Sequence, residues 1–156
     1  MHFVFNFFGS RSQGQHYELR KIFIEQLPIY SATPEEQQPL IKKADLMLNL
    51  NRQLQEEVKD FQDWLQHTFG IEKLSKKLEK YYELSLDEFL EEARKKKVDV
   101  KARKNYQTLK DEFKESLSKI QPLLQDIEKT DAEIDWMVYE LYGLTEEEIE
   151  IVENSL

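Results

Sequence analysis

The chain has 156 residues, 40% of them apolar and 12% aromatic, which is enough for one modest core and sets one domain as the expectation. Four glycines and four prolines favour long helices over a sandwich or barrel, and the lack of cysteine excludes a disulfide framework, a thiolate zinc site and a cysteine nucleophile. The net charge of -9 argues against a protein that grips nucleic acid over its whole surface, but the deficit is local. Residues 126–156 hold eleven acidic residues against Lys129 alone, so residues 1–125 carry 21 basic against 20 acidic and leave room for a basic face.

Residues 1–30 differ from the rest. FVFNFF reads as a buried strand, because it is too short and too poor in cations for a signal peptide. GSRSQGQ reads as a glycine-bracketed loop and KIFIEQLPIY as an extended or briefly helical run. Two short apolar segments cannot close a sheet in water, so this stretch reads as a strand and loop remnant of a larger sheet.

Thr33, Pro34 and Glu36 form a helix start signal: a cap, a proline at the first position and a capping-box glutamate. From there Leu40, Ala44, Met47, Asn51, Leu54, Val58, Phe61 and Leu65 step by four and three residues, a heptad seam that ends near Gly70. Asn51 is the one polar member, and a buried amide in a seam is expected to fix helix register. Residues 71–100 read as connecting structure, with Ile71, Leu74 and Leu78 on one face and a second capping box at Ser85 and Glu88. Arg94–Lys104 is the densest positive stretch and is expected to be a solvated face.

The second long helix places Tyr106, Phe113, Ile120, Ile127, Ile134 and Leu141 at seven-residue intervals, with Leu109, Leu123 and Met137 between them. Pro122 predicts a kink or two helices meeting end to end, and Thr130 with Glu133 would cap a restart. Gly143 is placed to end the helix, and Thr145 with Glu148 opens a last one. Leu144, Ile149 and Val152 are expected to cluster with Trp136, Tyr139, Leu141 and Tyr142. The fold class is therefore mainly α: a long antiparallel, coiled-coil-like hairpin with short helices at its tip. Residues 1–30 form the remnant and 31–156 the hairpin with its docked terminal helix. No run reaches the roughly 18 to 20 apolar residues that cross a bilayer, so no membrane partner and a cytoplasmic location are expected. A dimer through exposed seams stays open.

Catalytic chemistry finds few candidates. His2, His16 and His67 lack metal-ligand spacing, and His67 suits the end of a helix through its dipole. Gly9 and Gly14 match no phosphate-binding fingerprint. Glu91, Glu92 and the Glu146–Glu148 run are expected on solvated faces or at first-turn positions that favour the helix dipole, which do not promise the burial that a shifted pKa needs. No catalytic, cofactor or metal residue is assigned. Arg11 is different in kind: an arginine among small polar residues reaches phosphate or a base edge through its planar fork, although an ordinary solvated turn is the plainer reading.

ELRKIFIEQLPI, then TPEEQQPLIKKADLMLNLNRQLQEE, then KTDAEIDWMVYELYGLTEEEIEIVE together resemble the C-terminal region of type II restriction-modification enzymes that fuse an adenine methyltransferase to a target-recognition domain. LPI with an EQ-containing helix start is similar to the specificity subunits of type I systems. The resemblance runs from about Phe7 to Glu153, and between Asn105 and Asp126 it rests more on helical pattern than on motif. By position, Gly9, Arg11 and Gly14 match the family's loop, Leu27–Ile29 its junction and Tyr139–Leu144 its YELYGL element. The resemblance implies residues 1–30 as the end of a recognition domain and the rest as its helical spacer. It implies double-stranded DNA as a partner, touched through Arg11, Gln13, Gln15, Arg20 and Lys21, and a methyltransferase domain of the same parent. S-adenosylmethionine and Mg2+ would belong to that parent, because no NPPY-like motif or donor loop occurs here. A coiled-coil regulator or adaptor without DNA binding is the alternative.

Overall fold

The computed structural model describes residues 10–11, 17–18 and 30–154. Its elements in chain order are β1 (Ser10–Arg11), β2 (Tyr17–Glu18), α1 (Pro34–Phe69), α2 (Lys76–Glu79), a 3-10 turn (Tyr81–Glu83), α3 (Leu86–Lys95), α4 (Arg103–Tyr142) and α5 (Glu146–Glu153). The expected helical hairpin with short helices at its tip is present. The chain divides into two compact units, Lys42–Ala132 and Met1–Ile41 with Glu133–Leu156. Among the described residues no helix is long and apolar enough to cross a membrane.

Local signals set the helix ends. Thr33 Oγ1 accepts the Glu36 N–H at 3.3 Å while the Glu36 carboxylate accepts the Thr33 N–H at 2.7 Å, and the same reciprocal box opens α3 at Ser85–Glu88 and α5 at Thr145–Glu148. These accepted N–H bonds hold the Glu36, Glu88 and Glu148 carboxyls below their ordinary value. Gly70 and Gly143 stop α1 and α4 with φ of 65° and 62°. The following amides bond back five residues, Ile71 to Gln66 and Leu144 to Tyr139. The end of α3 uses the same geometry without a glycine: Lys97 has φ 68°, and Val98 N–H reaches the Ala93 carbonyl. A side chain in this left-handed region costs about 1 kcal/mol or more.

Helix α4 is continuous from Arg103 to Tyr142, so the restart expected at Thr130 does not form. Pro122 and Ser118, whose carbonyl loses its donor, are both exposed, so that the carbonyl lies on the solvent side of the helix. Pro39 sits inside α1 in the same way, exposed near the start. Thr130 is not a cap but a buried helix residue, 4% exposed.

In the Lys42–Ala132 unit, α1 and α4 run antiparallel, with Glu57 beside Lys119 at 4.0 Å and Phe61 in one core with Phe113. The buried line on α4 is Leu109, Phe113, Ser116 and Ile120, at steps of four, three and four, so the seam is the expected one with a serine in it. The far ends of the expected stripes are not buried: Tyr106 and Ala44 are exposed, and Leu50 is buried instead.

Residues 71–100 are the main departure from the sequence reading. They supply Ile71, Leu74, Leu78, Tyr81, Phe89, Ala93 and Val98 to the core, more than either long helix. Tyr81 stacks on Phe61 with centroids 4.1 Å apart, and Phe89 on Phe113 at 4.6 Å. The segment's polar backbone is served from α1: Gln62 donates to the Glu79 carbonyl at 2.8 Å, and Gln66 to those of Ile71 and Glu72 at 3.1 and 3.2 Å. A stretch legible as a connector is thus the centre of the core, because its apolar residues face inward from three short elements and the turns beside them, which share no single period.

Candidate functional site

The residues matched to DNA contact are only partly within the described chain. The backbone places Arg11 on β1, opposite Tyr17 in an antiparallel pair whose other partners are Ser10 and Glu18. GSRSQGQ is therefore not a loop throughout, since its Ser10 and Arg11 belong to β1 and pair with β2. Gln13, Gln15, Arg20 and Lys21 lie outside the described residues, as do FVFNFF, Gly9, Gly14 and Leu27–Ile29.

Asn51 is half-buried on α1, and its amide donates to the Met47 carbonyl at 2.9 Å, one turn back in its own helix. A buried polar contact between side chains of separate elements is one the sequence reading missed. Tyr81 hydroxyl and Ser116 Oγ share a short, buried hydrogen bond. Burial pushes the Tyr81 phenol up to about 12. No motif marks this pair; only the placement of Ser116 in the four-three register of α4 hints at an inward hydroxyl.

The carboxylates divide by environment. Glu91 is exposed and paired with Arg94 at 2.7 Å. Glu92, expected on a solvated face, is buried at 7% exposure and accepts from Lys95 Nζ at 2.7 Å and Ser75 Oγ at 3.0 Å. The Lys95 bond holds its carboxyl below the ordinary value against the upward push of burial. Ser75 Oγ also caps α2 by accepting the Leu78 N–H at 3.3 Å, so Glu92 ties two short helices together. Glu146 and Glu147 are exposed in the first turn of α5. His67 is exposed in the last turn of α1. Among the described residues no group of three or more histidine, cysteine, aspartate or glutamate side chains could hold a metal ion.

Three clefts stand out. One of about 190 Å³ lies between α1 and α4, lined by Glu57, Asp60, Trp64, Glu112, Glu115 and Lys119 among others. A second, of about 510 Å³, includes Thr68, Phe69, Lys97, Asp99, Lys104 and Asn105, and so borders the basic stretch. The third lies in the unit that contains both ends of the chain. It is a groove of about 290 Å³ lined by Tyr30, Glu36, Leu40, Met137, Glu140 and Leu141.

Around that third groove the expected apolar cluster forms only in part. Tyr139 is buried and donates its hydroxyl to the Glu153 carboxylate at 2.7 Å, which fastens α5. Leu144, Ile149 and Val152 are half-buried. Trp136, however, is 57% exposed, and Tyr142 turns its ring toward Tyr30 at 6.1 Å, its hydroxyl accepting the Tyr30 N–H at 3.3 Å. The acidic rim at Glu36 and Glu140 was legible only as charge composition.

Residues 33–138 match the family model for a domain of unknown function, DUF8810, so the chain belongs to that family. No curated protein and no solved structure matches it.

Proposed function

We propose that the chain is the helical spacer and terminal part of a DNA target-recognition module in a restriction-modification enzyme, and that it positions the recognition domain relative to a methyltransferase. The observation that supports this best is mechanical. Within the Lys42–Ala132 unit the two long helices run antiparallel and are locked by an aromatic core. Such a pair holds distance and direction, which a spacer requires, and it resists bending because stacked rings and a buried hydroxyl pair fix its register. The chain itself is not a catalyst in this reading; S-adenosylmethionine and Mg2+ belong to the methyltransferase and nuclease parts of the parent, in the cytoplasm.

The test is duplex binding by the full chain at two salt concentrations. Weak binding, nearly independent of sequence, is expected, with a salt slope equivalent to about two or three phosphates at roughly 0.9 each. Replacing Arg11, Arg20 and Lys21 together by alanine should abolish it, while methyl-transfer and cleavage assays stay blank. Binding untouched by that triple change would move the DNA face elsewhere, and no binding at all would favour a coiled-coil protein-interaction module. The exposed aromatic side chains beside the acidic groove are the observation on the side of that second reading.

A further inference from the structure

The unit that gathers residues 1–41 and 133–156 has an unusual charge make-up. Its described side chains, residues 30–41 and 133–154, include two acidic residues in the first stretch and eight in the second, and no lysine or arginine in either. Residues 1–29 add three basic and two acidic residues, and residues 155–156 none, so the unit stays strongly negative. Within this field lies the groove of Leu40, Met137 and Leu141, with Glu36 and Glu140 at its edge. Trp136, one turn before Glu140 on α4, and Ile151 on α5 are 57% and 58% exposed. A large apolar side chain left in water on the helix that lines an apolar groove, as Trp136 is, marks an interaction surface.

We propose that this groove docks a basic amphipathic segment of another protein, whose apolar residues enter between Leu40, Met137 and Leu141 while its lysines and arginines meet Glu36, Glu140 and the first turn of α5. Charge selects this occupant. A second copy presenting the same face would bring two cation-poor surfaces together, and like charges across an interface are costly. The chain's own basic stretch is a weaker candidate for a head-to-tail contact, because Arg94 and Lys95 are already bonded to Glu91 and Glu92 and Val98 is buried. A membrane surface is disfavoured by the same negative field. The inference is separate from the DNA reading, since none of these residues is a matched DNA contact.

The experiment titrates the full-length protein into three fluorescent peptides. One carries leucine and lysine at helical spacing, one has the same leucines with glutamate for lysine, and one is a scramble of the first with no apolar face. The first should bind, with affinity falling more than tenfold between 50 and 200 mM salt, and it should change tryptophan emission in a way that Trp136→Phe suppresses. Glu140→Lys with Glu147→Lys should weaken it at least tenfold. Met137→Gln should weaken it too, and circular dichroism should confirm that these variants stay folded. Equal binding of the scramble would reduce the effect to bulk charge and overturn the proposal. So would equal binding of the acidic peptide, absence of binding, or self-association abolished by the same substitutions, which would make the occupant a second copy.

Discussion

The Lys42–Ala132 unit and the unit made from residues 1–41 and 133–156 draw on the same two long helices, yet they spend their apolar residues differently. In the first, the short elements between the long helices add a third side to the packing, and Leu65, Leu78, Tyr81, Phe89, Leu109 and Ile120 are fully buried. In the second, Tyr139 is the one buried hydrophobic residue among those described, and α5 buries none of its residues. A pair of helices offers each seam only one partner; burial on the scale of a domain core needs a further layer. The tip has that layer in residues 71–100. The comparison teaches that close packing is concentrated at one place along the chain, and accessible aromatic and acidic surface at another.

The comparison breaks most directly at Phe89. Truncation to alanine should cost about 3–5 kcal/mol in urea denaturation, because the ring is fully buried and stacked on Phe113. A loss below about 1 kcal/mol would place the stabilising core elsewhere. Trp136→Ala, as an exposed control, should change stability by no more than about 0.5 kcal/mol.

Tyr81→Phe should cost about 1–3 kcal/mol by leaving the Ser116 hydroxyl buried without its partner, and adding Ser116→Ala should recover part of that loss. The pH dependence has a definite sign. The folded phenol titrates near 12 and the unfolded one near 10, so its contribution is complete below about pH 10 and is lost as pH rises toward 12. The Tyr81→Phe variant should lack that alkaline component in its stability profile.

Lys97→Gly should raise stability by about 1 kcal/mol, since glycine adopts φ near 68° without the penalty that a side chain incurs there. A neutral or negative effect would mean that the entropy of the unfolded glycine offsets the relieved strain.

The most local effect is expected in the acidic unit. Tyr139→Phe removes the hydroxyl that holds Glu153, and hydrogen exchange should show faster opening of α5, by about 0.5–1.5 kcal/mol, with the amides of α3 unchanged. Simultaneous loosening of α3 would show the two units to be one cooperative block.

What the sequence determined by itself was the local code. Thr33, Ser85 and Thr145 with their glutamates, and Gly70 and Gly143, mark helix ends through bonds made within a few residues, so no tertiary knowledge is needed to place them. The stepping of Phe61, Leu65, Leu109, Phe113 and Ile120 likewise announces two helices that must cover each other. The tertiary structure decided what those patterns leave open. Three short elements bring Tyr81 and Phe89 between the long helices, Glu92 is drawn inside by Ser75 and Lys95, and Ser116 meets the Tyr81 hydroxyl across elements. It also left Trp136 in water beside an acidic groove. The physical reason is range: caps and seams are written in contacts three to seven residues apart, whereas Tyr81 and Ser116 are 35 residues apart and meet only once the chain has folded back.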